Sequence, residues 1–162
     1  MQAEETFSHI TPAGEPAMVD VDEKAVTRRT AKAQSIVFLG ETIMTKLSGE
    51  EIHTKKGPVF QTAIIAGIMA AKKTSDLIPL CHPLGLDDCK ISIRINMPHE
   101  VVVECTASLS AKTGVEMEAL TGVSVAALTI YDMCKALSHD IVIRETRLIE
   151  KTGGKRDYLY AP

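Results

Sequence analysis

The sequence predicts an α+β fold of the ferredoxin-like kind, an antiparallel sheet with long helices packed on one face. Three observations carry that expectation. Residues 27–39 alternate apolar and polar, residues 89–96 and 100–110 are two strand-like runs joined at Met97-Pro98-His99, and two long apolar stretches lie at 58–71 and 119–131. Their order, β-α-α-β-β-α-β, suits a layer of helices over one sheet. A chain of 162 residues that is 45% hydrophobic can bury one core, so we expect a flexible tail over residues 1–14 and a single domain over 15–162.

Each element follows from its residues. In "TRRTAKAQSIVFL" the inward positions are Ala31, Ala33, Ser35, Val37 and Leu39. "ETIMTKLSG" reads as a short helix ending at Gly49, followed by a polar loop, "GEEIHTKKG". Pro58 then sits where proline opens a helix, and that helix is nearly all apolar until Lys72 and Lys73, which suits burial on most sides. The runs at 89–96 and 100–110 make a hairpin, residues 112–138 contain a long helix, and "DIVIRETRLIE" (140–150) alternates as a last strand.

Composition excludes several classes. A net charge of −3 with 4% aromatics argues against a nucleic-acid surface, which needs a basic excess and stacking rings. The longest uncharged stretch, Ala119 to Tyr131, is too short to span a bilayer, and the N-terminal residues lack the pattern of a signal peptide, so a cytoplasmic protein is expected. Cys81, Cys89, Cys105 and Cys134 form no CxxC pair and the five histidines no HxxxH pattern, which suits reduced thiols and no metal site.

Two stretches carry chemistry. In "LIPLCHPL" (77–84), Pro79 and Pro83 stiffen the chain and hold Cys81 and His82 in a non-helical segment. A rigid crossover burying Leu77, Leu80 and Leu84 would explain it; so would a metal site, an activated thiol, or a polar group aimed at a ligand. In the long helix, Thr113 and Glu116 fit a capping box, whereas Glu118 has no such role. Thirteen uncharged residues later come Asp132 and Lys135, three apart on one face and in apolar surroundings that favour partial burial. A carboxylate and an ammonium sharing such a site have shiftable pKa values suited to acid–base work. Glu118 and Asp132 are about 21 Å apart along a helix yet within roughly 40° of one face. One compact pocket cannot use both ends, so a symmetric oligomer with sites at its interfaces is expected.

"DLIPLCHPL" (76–84), "KTGVEMEALTGVSVAALTIYDMCKA" (112–136) and "KTGGK" (151–155), with "MVDV" (18–21) near the start, closely resemble the cyclic pyranopterin monophosphate synthase family, the molybdenum cofactor biosynthesis protein C family. The resemblance implies a lyase that converts 3',8-cyclo-7,8-dihydroguanosine triphosphate into cyclic pyranopterin monophosphate with release of pyrophosphate, in molybdenum cofactor (molybdopterin) biosynthesis. It implies a ferredoxin-like subunit, a homohexamer built as a trimer of dimers, and no metal or redox cofactor. It places Lys56, Asp132 and Lys135 at the catalytic centre. Substrate contacts fall on Leu80, Cys81, His82, Glu116, Met117 and Glu118, and on Arg29, Lys151 and Lys155 around the triphosphate. The chain departs from the family's usual pattern at Pro58, where an acidic residue is common, and at Arg156-Asp157, where Ser-Gly is more usual. The rival readings are a non-catalytic nucleotide- or pterin-binding oligomer of the same fold, and a zinc-dependent structural protein using Cys81 and His82.

Overall fold

The computed structural model describes residues 9–162. Of the tail expected over 1–14, residues 1–8 lie outside the described residues, and from His9 the chain makes a turn closed by a bridge between Ile10 and Pro16.

The main sheet has five strands: β1 (Thr27–Phe38), β5 (Asp88–Asn96), β6 (Glu100–Ala111), β7 (Val142–Thr152) and β8 (Tyr158–Leu159), in the order β5-β6-β1-β7-β8. Every neighbouring pair is antiparallel, and without β8 the order is that of a ferredoxin-like sheet. β1 and β6 pair without interruption from Thr27↔Ala111 to Phe38↔Glu100. β7 runs two residues beyond the expected strand and shifts register twice against β1, with Glu145 at φ 53° in the second irregularity. That irregularity lets Thr146 share a hydrogen bond of 2.9 Å with fully buried Ser35, so the one polar residue among the inward positions of β1 is satisfied.

Two long helices, α2 (Val59–Ala71) and α4 (Glu116–Cys134), cover one face of this sheet. Ala31, Ala33 and Val37 of β1, Val101, Val103 and Cys105 of β6, Val59 and Ala63 of α2, and Ala119, Val123, Ala126 and Ile130 of α4 are all fully buried. The second cover of apolar α4 is therefore α2 of the same chain. The helices cross where Gly67 meets Gly122, close enough that a Cβ on Gly67 would stand 2.7 Å from the Gly122 carbonyl oxygen. Burial of α2 on most sides does not hold: Ile65 and Met69 are 60% and 51% exposed, and Leu128 on α4 is 58% exposed. Only the stripe that meets α4 and the sheet is covered.

The segment 40–58 also differs from expectation. The short helix α1 (Gly40–Met44) ends five residues early, and the "polar loop" is a small sheet of β2 (Leu47–Ser48), β3 (Glu51–Thr54) and β4 (Gly57–Pro58). Gly49, at φ 63°, makes the β2–β3 turn and does not cap a helix. Pro58 stands one residue before α2, as its N-cap. The remaining helix, α3 (Thr74–Leu77), leads into the Cys81-His82 loop. Its last residue, Leu77, is 57% exposed, while Leu84 at the far end is partly buried against the core, so of the three leucines at least Leu77 is not a core residue.

Candidate active site

α4 presents the sequence-predicted residues at its two ends. In its last turn, Asp132 and Lys135 are three apart, and their facing side chains meet with Lys135 Nζ 2.7 Å from Asp132 Oδ1. Lys56, at the tip of the β3–β4 hairpin, donates to Asp132 Oδ2 at 2.8 Å, with the Asp132 carbonyl 3.4 Å away. Each carboxylate oxygen thus holds one ammonium group.

The expected partial burial does not hold. The three side chains are about half exposed, at 53%, 49% and 57% for Asp132, Lys135 and Lys56. They are not adrift in solvent either, since all three line a cleft of about 660 Å³. The hydrogen bonds from Lys135 and then Lys56 draw the Asp132 carboxyl down to about 2, and the bond to Asp132 pushes the Lys135 ammonium up. The two groups are driven apart, so at neutral pH Asp132 is a carboxylate facing a proton-bearing Lys135. Lys46, His53 and Lys55 add further basic groups to the same cleft, over an apolar floor of Met133, Ala136 and Leu137. Lys46 precedes β2, and His53 and Lys55 lie on the hairpin, so the small sheet carries all three to the Asp132 cluster.

The first turn of α4 carries the other residues. Glu116 makes no capping box with Thr113: the N-cap is Val115, which offers no side-chain acceptor, and Glu116 Oε1 instead takes a 2.8 Å salt bridge from Lys151 of β7. The side chain folds over Gly114, where any Cβ would collide with the carboxylate. Glu118 is 3% exposed, and burial pushes its carboxyl up, with Glu116 adding to the effect. Burial and then Glu118 also raise the Cys81 thiol, which therefore stays protonated and is no activated nucleophile. His82 Nε2 lies 2.8 Å from the Val19 carbonyl. A carbonyl only accepts, so Nε2 carries the hydrogen, and in the neutral ring Nδ1 is left as an acceptor.

Leu80, Cys81, His82, Glu116, Met117 and Glu118 line a cleft of about 320 Å³. It shares His9, His82, Thr113, Gly114 and Glu116 with a larger one of about 580 Å³, so the two form one groove. Arg29, Lys151 and Lys155 line the larger part, together with Arg156 of the same basic run and with Lys24, which sequence reasoning missed. Arg29 Nη2 donates to the Lys112 carbonyl at 3.3 Å, whereas its Nε is buried with no partner among the described residues. A buried guanidinium N–H left open in a basic groove is a ready contact for an anion. Gly153, at φ +82°, brings the "KTGGK" loop against Arg28, whose carbonyl any Cβ would strike, and Asp157 accepts the Gly153 N–H at 3.1 Å. The unusual Asp157 thus fastens the glycine loop.

All nine residues expected to contact substrate gather in this groove, the three expected catalytic residues gather in the other cleft, and the two share no lining residue. Among the described residues, no group of three or more His, Cys, Asp or Glu side chains is arranged to hold a metal ion, so Cys81 and His82 find no further ligands for zinc there. Among the same residues, no helix is long and apolar enough to cross a membrane.

Fold and clefts together define a ferredoxin-like α+β protein with two anion-suited clefts, one of them built around an acid–base cluster. Residues 18–154 match the MoaC family. The chain is 52% identical over 166 residues to Molybdenum cofactor biosynthesis protein 1 of Dictyostelium discoideum, with 92% of this chain and 26% of that protein covered. It is 54% identical to the Molybdenum cofactor biosynthesis bifunctional protein of Synechocystis sp., covering 96% of this chain and 46% of that one. Against the Cyclic pyranopterin monophosphate synthase of Xanthomonas campestris it is 50% identical, covering 93% and 92%. The chain thus spans about a quarter and about half of the first two relatives, and nearly all of the third. The chain belongs to the MoaC family.

Proposed function

We propose that this chain is a cyclic pyranopterin monophosphate synthase, a lyase that converts 3',8-cyclo-7,8-dihydroguanosine triphosphate into cyclic pyranopterin monophosphate and pyrophosphate. The observation that carries this reading is the Asp132 carboxylate, held between the Lys56 and Lys135 ammonium groups in a cleft rich in further basic residues. Closing a cyclic phosphate requires a hydroxyl to lose its proton as it attacks phosphorus, and the leaving pyrophosphate to be neutralised. The lysines are the proton-bearing groups, so they act as acids and cationic stabilisers toward the departing oxygens. Asp132 keeps both amines aimed, and an oxygen freed when an amine turns to the substrate becomes the proton acceptor.

The groove at the other end of α4 supplies recognition. Glu116 and Glu118 suit the amino and ring N–H groups of a guanine-like edge, while Arg29, Lys151 and Lys155 suit the phosphates. His82 offers the acceptor Nδ1, and Leu80, Cys81 and Met117 form the wall. Glu116 exchanges Lys151 for the ligand in this reading. Because the two clefts sit at opposite ends of α4, a complete site takes the cluster of one chain and the groove of another, in a homohexamer arranged as a trimer of dimers. The exposed Ile65, Met69 and Leu128 support burial of the helix layer by further copies. The four free thiols suit the cytoplasm.

Incubating the purified protein with the cyclised triphosphate tests the reading. Pyrophosphate and the cyclic phosphate should appear together, and Asp132→Ala should slow their release at least about a hundredfold. Tight binding without turnover would favour the non-catalytic oligomer, and unchanged turnover in Asp132→Ala would remove the cluster from the chemistry.

A further inference from the structure

We propose that Glu51 is a positioning residue for Lys56: its carboxylate staples the base of the hairpin whose tip presents Lys56 to Asp132. The inference rests on the catalytic reading of Lys56, Asp132 and Lys135 given above.

β3 and β4 pair His53 with Pro58 and Thr54 with Gly57, which leaves Lys55 and Lys56 as the tip. The same register, carried back, would set Glu51 opposite Phe60, but there the chain has already turned into α2. The Glu51 side chain takes over the fastening. Its Oε1 accepts the N–H groups of Ile52 and Phe60, both at 2.8 Å, and its Oε2 accepts the Gln61 N–H at 3.1 Å. The first amides of a helix lack partners within it and are ordinarily met by the N-cap side chain. Here the N-cap is Pro58, which has no acceptor to give. One carboxylate therefore caps α2 and closes the loop of chain from residue 51 to residue 61, and the helix dipole favours its charge.

The tip is set by its own contacts. Thr54 Oγ1 accepts the Lys56 N–H at 3.1 Å and donates to the Gly57 carbonyl at 3.3 Å, while Gly57 adopts φ +114°. With the tip shaped locally, the direction in which Lys56 points depends on how the base is held. Glu51 also acts on Cys134, in the last turn of α4, where after burial it is the second cause that raises the thiol, to about 11. The carboxylate thus lies where the hairpin, the start of α2 and the end of α4 converge, the last of these carrying Asp132. Ile52 and Val59 are fully buried, so the hairpin keeps an anchor without Glu51, and its loss frees the tip without unfolding the segment.

Two variants separate capping from positioning. Glu51→Ala removes both functions, and Pro58→Asp restores a helix cap supplied from the N-cap residue itself, without the side-chain link from residue 51 to residues 60 and 61. In Glu51→Ala we expect a lower Tm, an upward shift in the Asp132 carboxyl titration read by 13C NMR, and a fall of about tenfold or more in kcat for pyrophosphate release, with KM changing less. Adding Pro58→Asp should recover Tm but neither the titration nor kcat, and Pro58→Asp alone should keep both. Recovery of all three by Pro58→Asp, or an unmoved titration and kcat in Glu51→Ala, would overturn the inference. If Glu51→Ala does not fold, Glu51→Gln, whose single carbonyl oxygen cannot hold all three amides, carries the same expectations. If the wild-type protein releases no pyrophosphate, the enzymatic reading has failed, while the Asp132 titration still decides whether Glu51 positions Lys56.

Discussion

Replacing Gly67 by alanine adds one methyl group at the crossing of α2 and α4, and two opposed effects decide its sign. Alanine in a helix interior gains about 1 kcal/mol over glycine. The new Cβ, however, would collide with Ile91 Cδ1 and stand 2.7 Å from the Gly122 carbonyl oxygen and 3.1 Å from Ala126 Cβ. The Ile91 methyl is the end of a flexible side chain and can turn away. The carbonyl belongs to the α4 backbone, so relief requires the helices to part by roughly half an ångström, and overpacking of this kind costs about 1–3 kcal/mol. The net loss is then up to about 2 kcal/mol, a fall in Tm of up to roughly 8 °C for a chain this size. Gly122→Ala makes an internal control: its Cβ meets Cys105 Sγ at 2.9 Å and nothing else within 3.4 Å, so it should cost less. Calorimetric melting of both variants checks the order. A Gly67→Ala protein more stable than the wild type, or no less stable than Gly122→Ala, would refute the argument that backbone contact fixes the helix spacing.

Glu118 gives a pH-dependent prediction. Its folded-state pKa is raised, so its favourable contribution is complete below the unfolded value near 4.5 and is lost as pH rises through the folded one. Glu118→Gln should therefore be more stable than the wild type at pH 8, by roughly 1–3 kcal/mol, and gain little at pH 4; equal denaturation midpoints at both pH values would contradict the burial argument. Lys135→Ala removes the first of the two hydrogen bonds that hold Asp132 near 2, so the Asp132 titration should move up toward 3.8, and a value still near 2 would show that Lys56 alone sets it. The same depression makes Asp132 stabilising above about 3.8, with that contribution lost as pH falls toward about 2, so acid unfolding of Lys135→Ala should depend less on pH in that window.

Much of the fold was legible because strong patterns govern it. Alternation at Ala31, Ala33, Ser35 and Val37 reports a strand with one buried face, and the charge-free run after Glu118 reports a helix covered on more than its sheet side, though not that the cover is α2 of the same chain. What was hidden depends on contacts distant in sequence. β3 and β4 are too short and polar to announce themselves, and the Glu51 carboxylate that fastens their base does so by reaching Phe60 and Gln61, nine and ten residues on. The capping box at Thr113 and Glu116 was a sound local pattern that lost to Lys151, thirty-five residues away. The site shows the same division: Asp132 and Lys135 follow from helical spacing, whereas Lys46, His53 and Lys55 join them through the small sheet.

The division of labour between the two ends of α4 is most directly tested by mixing two inactive variants. Asp132→Ala spoils the cluster and leaves the groove intact, and Arg29→Ala does the reverse. Refolded together in equal amounts, they should regain about a quarter of wild-type turnover if each site draws its cluster from one protomer and its groove from another. A mixture no more active than its separate components would mean that a single chain supplies both.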